Sequence, residues 1–86
     1  MLCRLAVVLA EAFAEAQGNS LSLYPSEVAK KAQVSQQVVG EIFRALAERG
    51  YMECFKTDKR MRCVVTRGSP LWSAEHDKIY RILETL

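Results

Sequence analysis

At 86 residues the chain supports one domain with a small core, near the size at which dimerisation, a metal or a disulfide often supplements folding. Half of the residues are hydrophobic and 26% are charged, which excludes a disordered segment. A net charge of +2 excludes a strongly polycationic binder, so affinity for phosphate has to come from basic residues gathered on one face.

The N-terminal run Leu5-Ala6-Val7-Val8-Leu9-Ala10 follows a single arginine and superficially resembles a targeting segment. Glu11 and Glu15 interrupt it, and it is too short to span a bilayer. Leu2, Leu5, Leu9, Ala12, Phe13 and Ala16 recur at three- and four-residue steps, which predicts a core helix over 2–17 stopped by Gly18-Asn19. No other apolar run is long enough for a membrane span. The expectation is a cytoplasmic protein with no membrane partner.

Leu21-Ser22-Leu23 reads as a very short extended segment. Pro25 then opens a second helix, because proline is accepted in a first turn, and Glu27 suits the positive helix end. Val28, Ala29 and Ala32 point inward from it and leave Lys30 and Lys31 outside. Ala32-Gln33-Val34 forms a turn, and Ser35 is expected to cap a third helix over about 35–49 by accepting a bond from an early backbone amide. Within that helix Val39, Ile42, Phe43 and Leu46 keep helical spacing. Gln36, Gln37, Gly40, Glu41 and Arg44 fall on other faces, with Val38 at the edge, and Gly50 closes the helix.

Residues 51–56 and 60–66 alternate in character around Thr57-Asp58-Lys59, the pattern of a β-hairpin. With Asp58-Lys59 at the turn centre, Lys56 pairs with Met61, Cys54 with Cys63, and Met52 with Val65. Met52, Cys54, Met61, Cys63 and Val65 then form the core face, opposite Glu53, Phe55, Arg60, Arg62 and Val64. A last helix is expected to start at Ser69-Pro70 or Ser73 and to end at Leu86. Trp72, His76, Ile79, Leu83 and Leu86 would form its apolar seam.

Taken in order, these elements give a single α+β domain over 1–86 that is mainly helical. Its core lies at about 21–66, between N- and C-terminal flanking helices, the latter over 70–86. Glu27-Val28-Ala29, Val34-Ser35 and the run from Leu46 through Gly50-Tyr51-Met52 resemble the second-helix start, the pre-recognition turn and the passage into the wing of winged helix-turn-helix regulators. These include the MarR-type and ArsR-type families and small archaeal DNA-binding proteins. The chain departs from their pattern at Gln33, where glycine is frequent, and at Glu41, where a basic residue is frequent.

The resemblance implies a sequence-specific transcription regulator of double-stranded DNA, with the third helix in the major groove and a two-stranded wing over 51–66 on the backbone or minor groove. Ser35, Gln36, Gln37, Gly40, Glu41 and Arg44 could then reach DNA. Gln36 or Gln37 suits adenine, Arg44 suits guanine or a phosphate, and Gly40 admits the duplex close to the backbone. Lys30 and Lys31, together with Lys56, Lys59, Arg60 and Arg62 of the wing, would contact phosphates. Those same residues also suit an ordinary solvated surface. Leu2, Leu5, Leu9, Trp72, Ile79, Leu83 and Leu86 offer a surface for a homodimer on a palindromic site, unless the terminal helices simply cover one another within the monomer.

Cys3, Cys54 and Cys63 lack metal-site spacing, and His76 is the only further soft ligand, so no metal or cofactor is expected. Cys54 opposite Cys63 fits either a cross-strand disulfide or two buried thiols. Cys3 is left spare, buried or available between subunits. No nucleophile with an adjacent base and no glycine-rich phosphate loop occurs, which argues against an enzyme. A winged helix serving as a protein-interaction module in a transcription, replication or segregation complex is the alternative that accommodates Glu41 and the low net charge.

Overall fold

The computed structural model describes residues 1–57 and 60–86, without the side chain of Thr57; Lys59, expected in the wing, lies outside the described residues. The elements are helix α1 (Leu2–Glu15), strand β1 (Ser20–Leu23), helices α2 (Pro25–Ala32) and α3 (Gln36–Glu48), strands β2 (Glu53–Thr57) and β3 (Arg60–Thr66), and helix α4 (His76–Glu84). The chain is therefore α+β and mainly helical, in a layout compatible with a winged helix.

The predicted hairpin is part of a three-stranded antiparallel sheet ordered β1-β3-β2. Cys54 pairs with Cys63 and Lys56 with Met61, as the alternation required. The short segment after α1 supplies the third strand, placing Leu23 opposite Cys63 and Leu21 opposite Val65. Successive side chains on a strand face opposite ways, and β3 shows it: Cys63 and Val65 are fully buried while Arg62 and Thr66 are exposed.

Phe43, Val39 and Leu46 of α3 lie completely inside, joined from α2 by Val28, Ala29 and Ala32. Each large side chain so buried contributes roughly 1.5–3 kcal/mol relative to exposure. The turn between α2 and α3 bends at Gln33, whose backbone takes the left-handed conformation (φ 57°). Glycine adopts that region without a Cβ penalty, so the departure from the family pattern noted at Gln33 is a position of backbone cost. The Val34 amide bonds the Ala29 carbonyl at 3.0 Å, and Arg4 Nη1 reaches Gln33 Oε1 at 3.5 Å. Gly50, at φ 83°, ends α3 as expected.

Several local expectations are corrected. Ser35 occupies the N-cap of α3 but makes no side-chain capping bond. Helix α1 stops at Glu15, two residues short of the expected end, and Arg67 covers its terminus by donating from Nε to Gly18 O (2.8 Å) and from Nη2 to Ala16 O (3.5 Å). A cation there also complements the negative end of the helix.

The last helix begins only after Glu75, not at Ser69 or Ser73. Ser69 Oγ instead donates to Tyr51 O at 2.6 Å, and the Glu75 amide bonds Ser73 Oγ at 3.0 Å, a local turn that postpones the helix. Trp72 therefore belongs to the connecting loop rather than to the helical seam. Its ring stacks on Phe13 at 5.1 Å, and the Arg67 guanidinium lies 4.7 Å from its centroid. His76 is exposed beside Asp77 instead of packed on an apolar seam.

The surface expected for a homodimer is largely consumed inside the monomer. Leu5, Leu9, Ile79 and Leu83 are buried where α1 and α4 pack together, while Leu2, Trp72 and Leu86 are half-buried against the same core. Helical spacing marks a face as apolar and is silent on what covers it. Among the described residues, no helix is long and apolar enough to cross a membrane.

Candidate nucleic-acid interface

Because α3 buries Val39, Phe43 and Leu46, its opposite face has to point away from the core. Gln36, Gln37, Gly40, Glu41 and Arg44 occupy that face and form one wall of an open groove of about 660 Å³. The hairpin supplies the other wall through Cys54, Phe55, Lys56, Arg60 and Met61, and Pro25 closes one side. Seven residues expected to meet DNA are thus brought together from two separate elements.

Other residues from the same expectation lie elsewhere. Lys30, Lys31 and Ser35 are exposed but do not line the groove. Arg62 borders a second depression of about 480 Å³ with Tyr24, Phe55 and Arg60. Cys54, Met61 and Pro25 line the groove without having been expected there. Cys54 and Met61 could have been anticipated, since the register puts them on the hairpin face that carries Lys56.

Within the groove Arg44 and Lys56 supply positive charge and Glu41 negative charge. None of these three side chains, nor those of Gln36 and Gln37, has a hydrogen-bond or ion-pair partner among the described residues. Their polar ends are consequently committed to solvent or to a bound molecule. Arg60 is held differently: its guanidinium lies 4.2 Å from the Tyr24 ring centroid and its Nη2 is 3.8 Å from Glu27 Oε1. That exposed ion pair is worth at most about 1 kcal/mol, so it positions Arg60 more than it stabilises the fold.

Gly40 stands out in this setting. A Cβ built at this position meets nothing within 4 Å, and its backbone angles are helical, so no intramolecular contact calls for glycine. Glycine inside a helix costs roughly 0.5–1 kcal/mol relative to alanine. What the fold does not require, a closely approaching partner can.

The groove is anchored by a covalent link. Cys54 and Cys63 are joined at an S–S distance of 2.07 Å, with their Cα atoms 4.0 Å apart, the narrow spacing of a non-hydrogen-bonded cross-strand pair. Of the two outcomes open in the sequence, the structure takes the disulfide. Cys54 Sγ also rests 3.9 Å from Phe43 O; a disulfide sulfur carries no proton, so this is a packing contact against α3 rather than a hydrogen bond. Cys3 is exposed and free.

Among the described residues no group of three or more His, Cys, Asp or Glu side chains could hold a metal ion. No family model, no curated protein and no solved structure matches the chain. The functional reading therefore rests on the groove itself.

Proposed function

We propose that this chain is a winged helix-turn-helix regulator of double-stranded DNA, with α3 entering the major groove and the β2–β3 hairpin lying along adjacent phosphates. The observation that carries the reading is the convergence of Gln36, Gln37, Gly40 and Arg44 with Lys56 and Arg60 on one groove. Gln36 and Gln37 can offer paired hydrogen bonds to adenine, and Arg44 to guanine. Lys56 and Arg60 neutralise phosphate, and Gly40 lets the duplex approach the helix backbone. Glu41 then faces a cytosine amino group or excludes sites that bring a phosphate there.

The reading keeps the homodimer as its binding unit, on a narrower surface than the sequence suggested. Met1 and Phe55 are the large hydrophobic side chains left exposed among the described residues, so a homodimer has to pair through polar or half-buried surface such as Leu2, Trp72 and Leu86. Selection should accordingly enrich a palindrome, and enrichment of one half-site would assign binding to the single chain.

A second reading, a protein-interaction module, is favoured by the apolar lining from Pro25, Cys54, Phe55 and Met61. Selection of bound sequences from randomised duplex DNA, followed by salt titration, separates the two. The DNA reading predicts an enriched motif and an affinity that falls steeply with salt. Lys56→Ala should weaken all sequences alike and lower the salt slope by about one. Failure to enrich any motif, with no duplex binding at low salt, would leave the interaction-module reading.

A further inference from the structure

The sheet has a second face, on which Tyr24 and Arg62 lie outside the α3 groove. Cys54 and Cys63 point towards the core, so the next cross-strand pair, Phe55 opposite Arg62, stands on the outer side. Tyr24 continues the extended backbone of β1 by one residue and so turns to the side opposite buried Leu23. Tyr24, Phe55, Arg60 and Arg62 together line the open depression of about 480 Å³.

Phe55 is 47% exposed and, apart from the N-terminal Met1, is the one large hydrophobic side chain so exposed among the described residues. A buried position was not denied it by size, since Phe43 and Phe13 are both inside. Arg62 is exposed and has no ion-pair or hydrogen-bond partner among the described residues. Arg60 already shows the geometry this surface imposes, a guanidinium 4.2 Å from an aromatic centroid. Among the described residues no carboxylate lines the depression, although Glu27 Oε1 lies 3.8 Å from Arg60 Nη2. A protein partner would call for a broader apolar core, whereas an exposed Phe55 ring beside cations, with Tyr24 already covered by Arg60, matches a ligand that is planar and anionic at once.

We propose that this outer face is a second nucleic-acid site that takes unpaired nucleotides, a base stacking on Phe55 while a flanking phosphate bonds Arg62. The site shares Phe55 and Arg60 with the rim of the α3 groove and is set apart from it by Tyr24 and Arg62; it does not depend on the duplex reading. Aromatic platforms beside a cationic track bind single strands with little sequence preference, because every base has a π-face. The chain would then hold a duplex and an adjoining unpaired strand through two faces of one hairpin.

The test uses the full chain and a fluorescently labelled oligothymidylate of about ten nucleotides, read by anisotropy across a salt series. Wild type should bind, and Phe55→Ala should weaken binding by roughly 5- to 100-fold. Phe55→Trp should retain affinity, whereas Phe55→Leu, apolar but without a π-face, should behave like Phe55→Ala. Arg62→Ala should weaken binding and lower the salt slope by about one. Arg44→Ala should leave the oligothymidylate unaffected, so that this site and the α3 groove can fail independently. Phe55 and Arg62 are exposed, and matching thermal melts would confirm that the variants remain folded.

The proposal is overturned if wild type does not bind at low salt, if Phe55→Leu binds like wild type, or if Arg44→Ala loses as much as Phe55→Ala. Concentration-dependent self-association abolished by Phe55→Ala, without oligothymidylate binding, would assign the face to a second copy of the chain and likewise overturn it.

Discussion

On the α1–α4 side, Leu5, Leu9, Phe13, Ile79 and Leu83 are withdrawn from solvent, and the Ala16 and Gly18 carbonyls just past the end of α1 accept from Arg67. On the α3–hairpin side, Gln36, Gln37, Glu41, Arg44 and Lys56 stand without partners among the described residues around an open groove. Charge divides along the same line. Residues 25–66 hold eight basic and five acidic side chains, whereas the rest of the chain holds four basic and five acidic ones. A chain of net charge +2 thus carries its positive excess on the α2, α3 and hairpin segment, although half of its acidic residues lie there too. One side is built to be stable and the other is left with unmet hydrogen-bonding capacity.

The largest effect that would break this division is expected at the seam. Leu9→Ala removes a fully buried side chain and should cost roughly 2–5 kcal/mol of stability, read by denaturant melting, without changing duplex affinity of the folded fraction. A loss of affinity in folded Leu9→Ala would show that the two sides are coupled.

Reduction of the Cys54–Cys63 link comes next. It closes a loop with a sequence separation of 9, for which the chain-entropy estimate is about 2.5 kcal/mol. Melting with and without reductant should differ by roughly 10–20 °C for a domain of this size. An unchanged melting temperature would mean that the hairpin holds its register by packing alone.

Arg44→Ala should cost about 1–3 kcal/mol of duplex affinity and relax preference at one base position, while leaving the melting temperature within a few degrees. An equal loss on every sequence would reassign Arg44 to phosphate.

Gly40→Ala sharpens the comparison most economically, because stability and binding should move in opposite directions. The added methyl meets nothing within 4 Å and should stabilise α3 by roughly 0.5–1 kcal/mol, yet it should weaken duplex binding by standing where the partner approaches. Stabilisation without any loss of affinity would remove the glycine from the argument for a groove-bound partner.

Local patterns made much of this architecture legible. The hairpin register followed from alternation, because a one-residue slip would have placed Arg62 in the core and Cys63 outside. The inward stripe of α3 and the glycine at its end were equally direct. Legibility failed where a long-range contact decided the outcome. Trp72 fits the spacing of the final helix, but stacking on Phe13 and the Ser73 turn keep it in a loop. Leu5, Leu9, Ile79 and Leu83 read as apolar from either helix alone, and only tertiary packing shows that each helix is the other's cover.

The candidate site divides in the same way. Gln36, Gln37, Gly40, Glu41 and Arg44 were readable as an outward helical face. Lys56 shares its strand face with Cys54 and Met61, whereas Arg60 stands on the other face with Arg62 and borders both depressions, which strand alternation alone does not predict. Tyr24 carried no local signal, since its role depends on an arginine 36 positions later in the chain, as the Arg60–Tyr24 contact shows.

Backbone amide NMR shifts, recorded while a short duplex is titrated into the chain at low salt, test the division between the two sides most directly. The account predicts changes concentrated at 36–44 and 54–62, with α1 and α4 nearly unmoved. Changes centred on α1 and α4, or none at any duplex concentration, would contradict it.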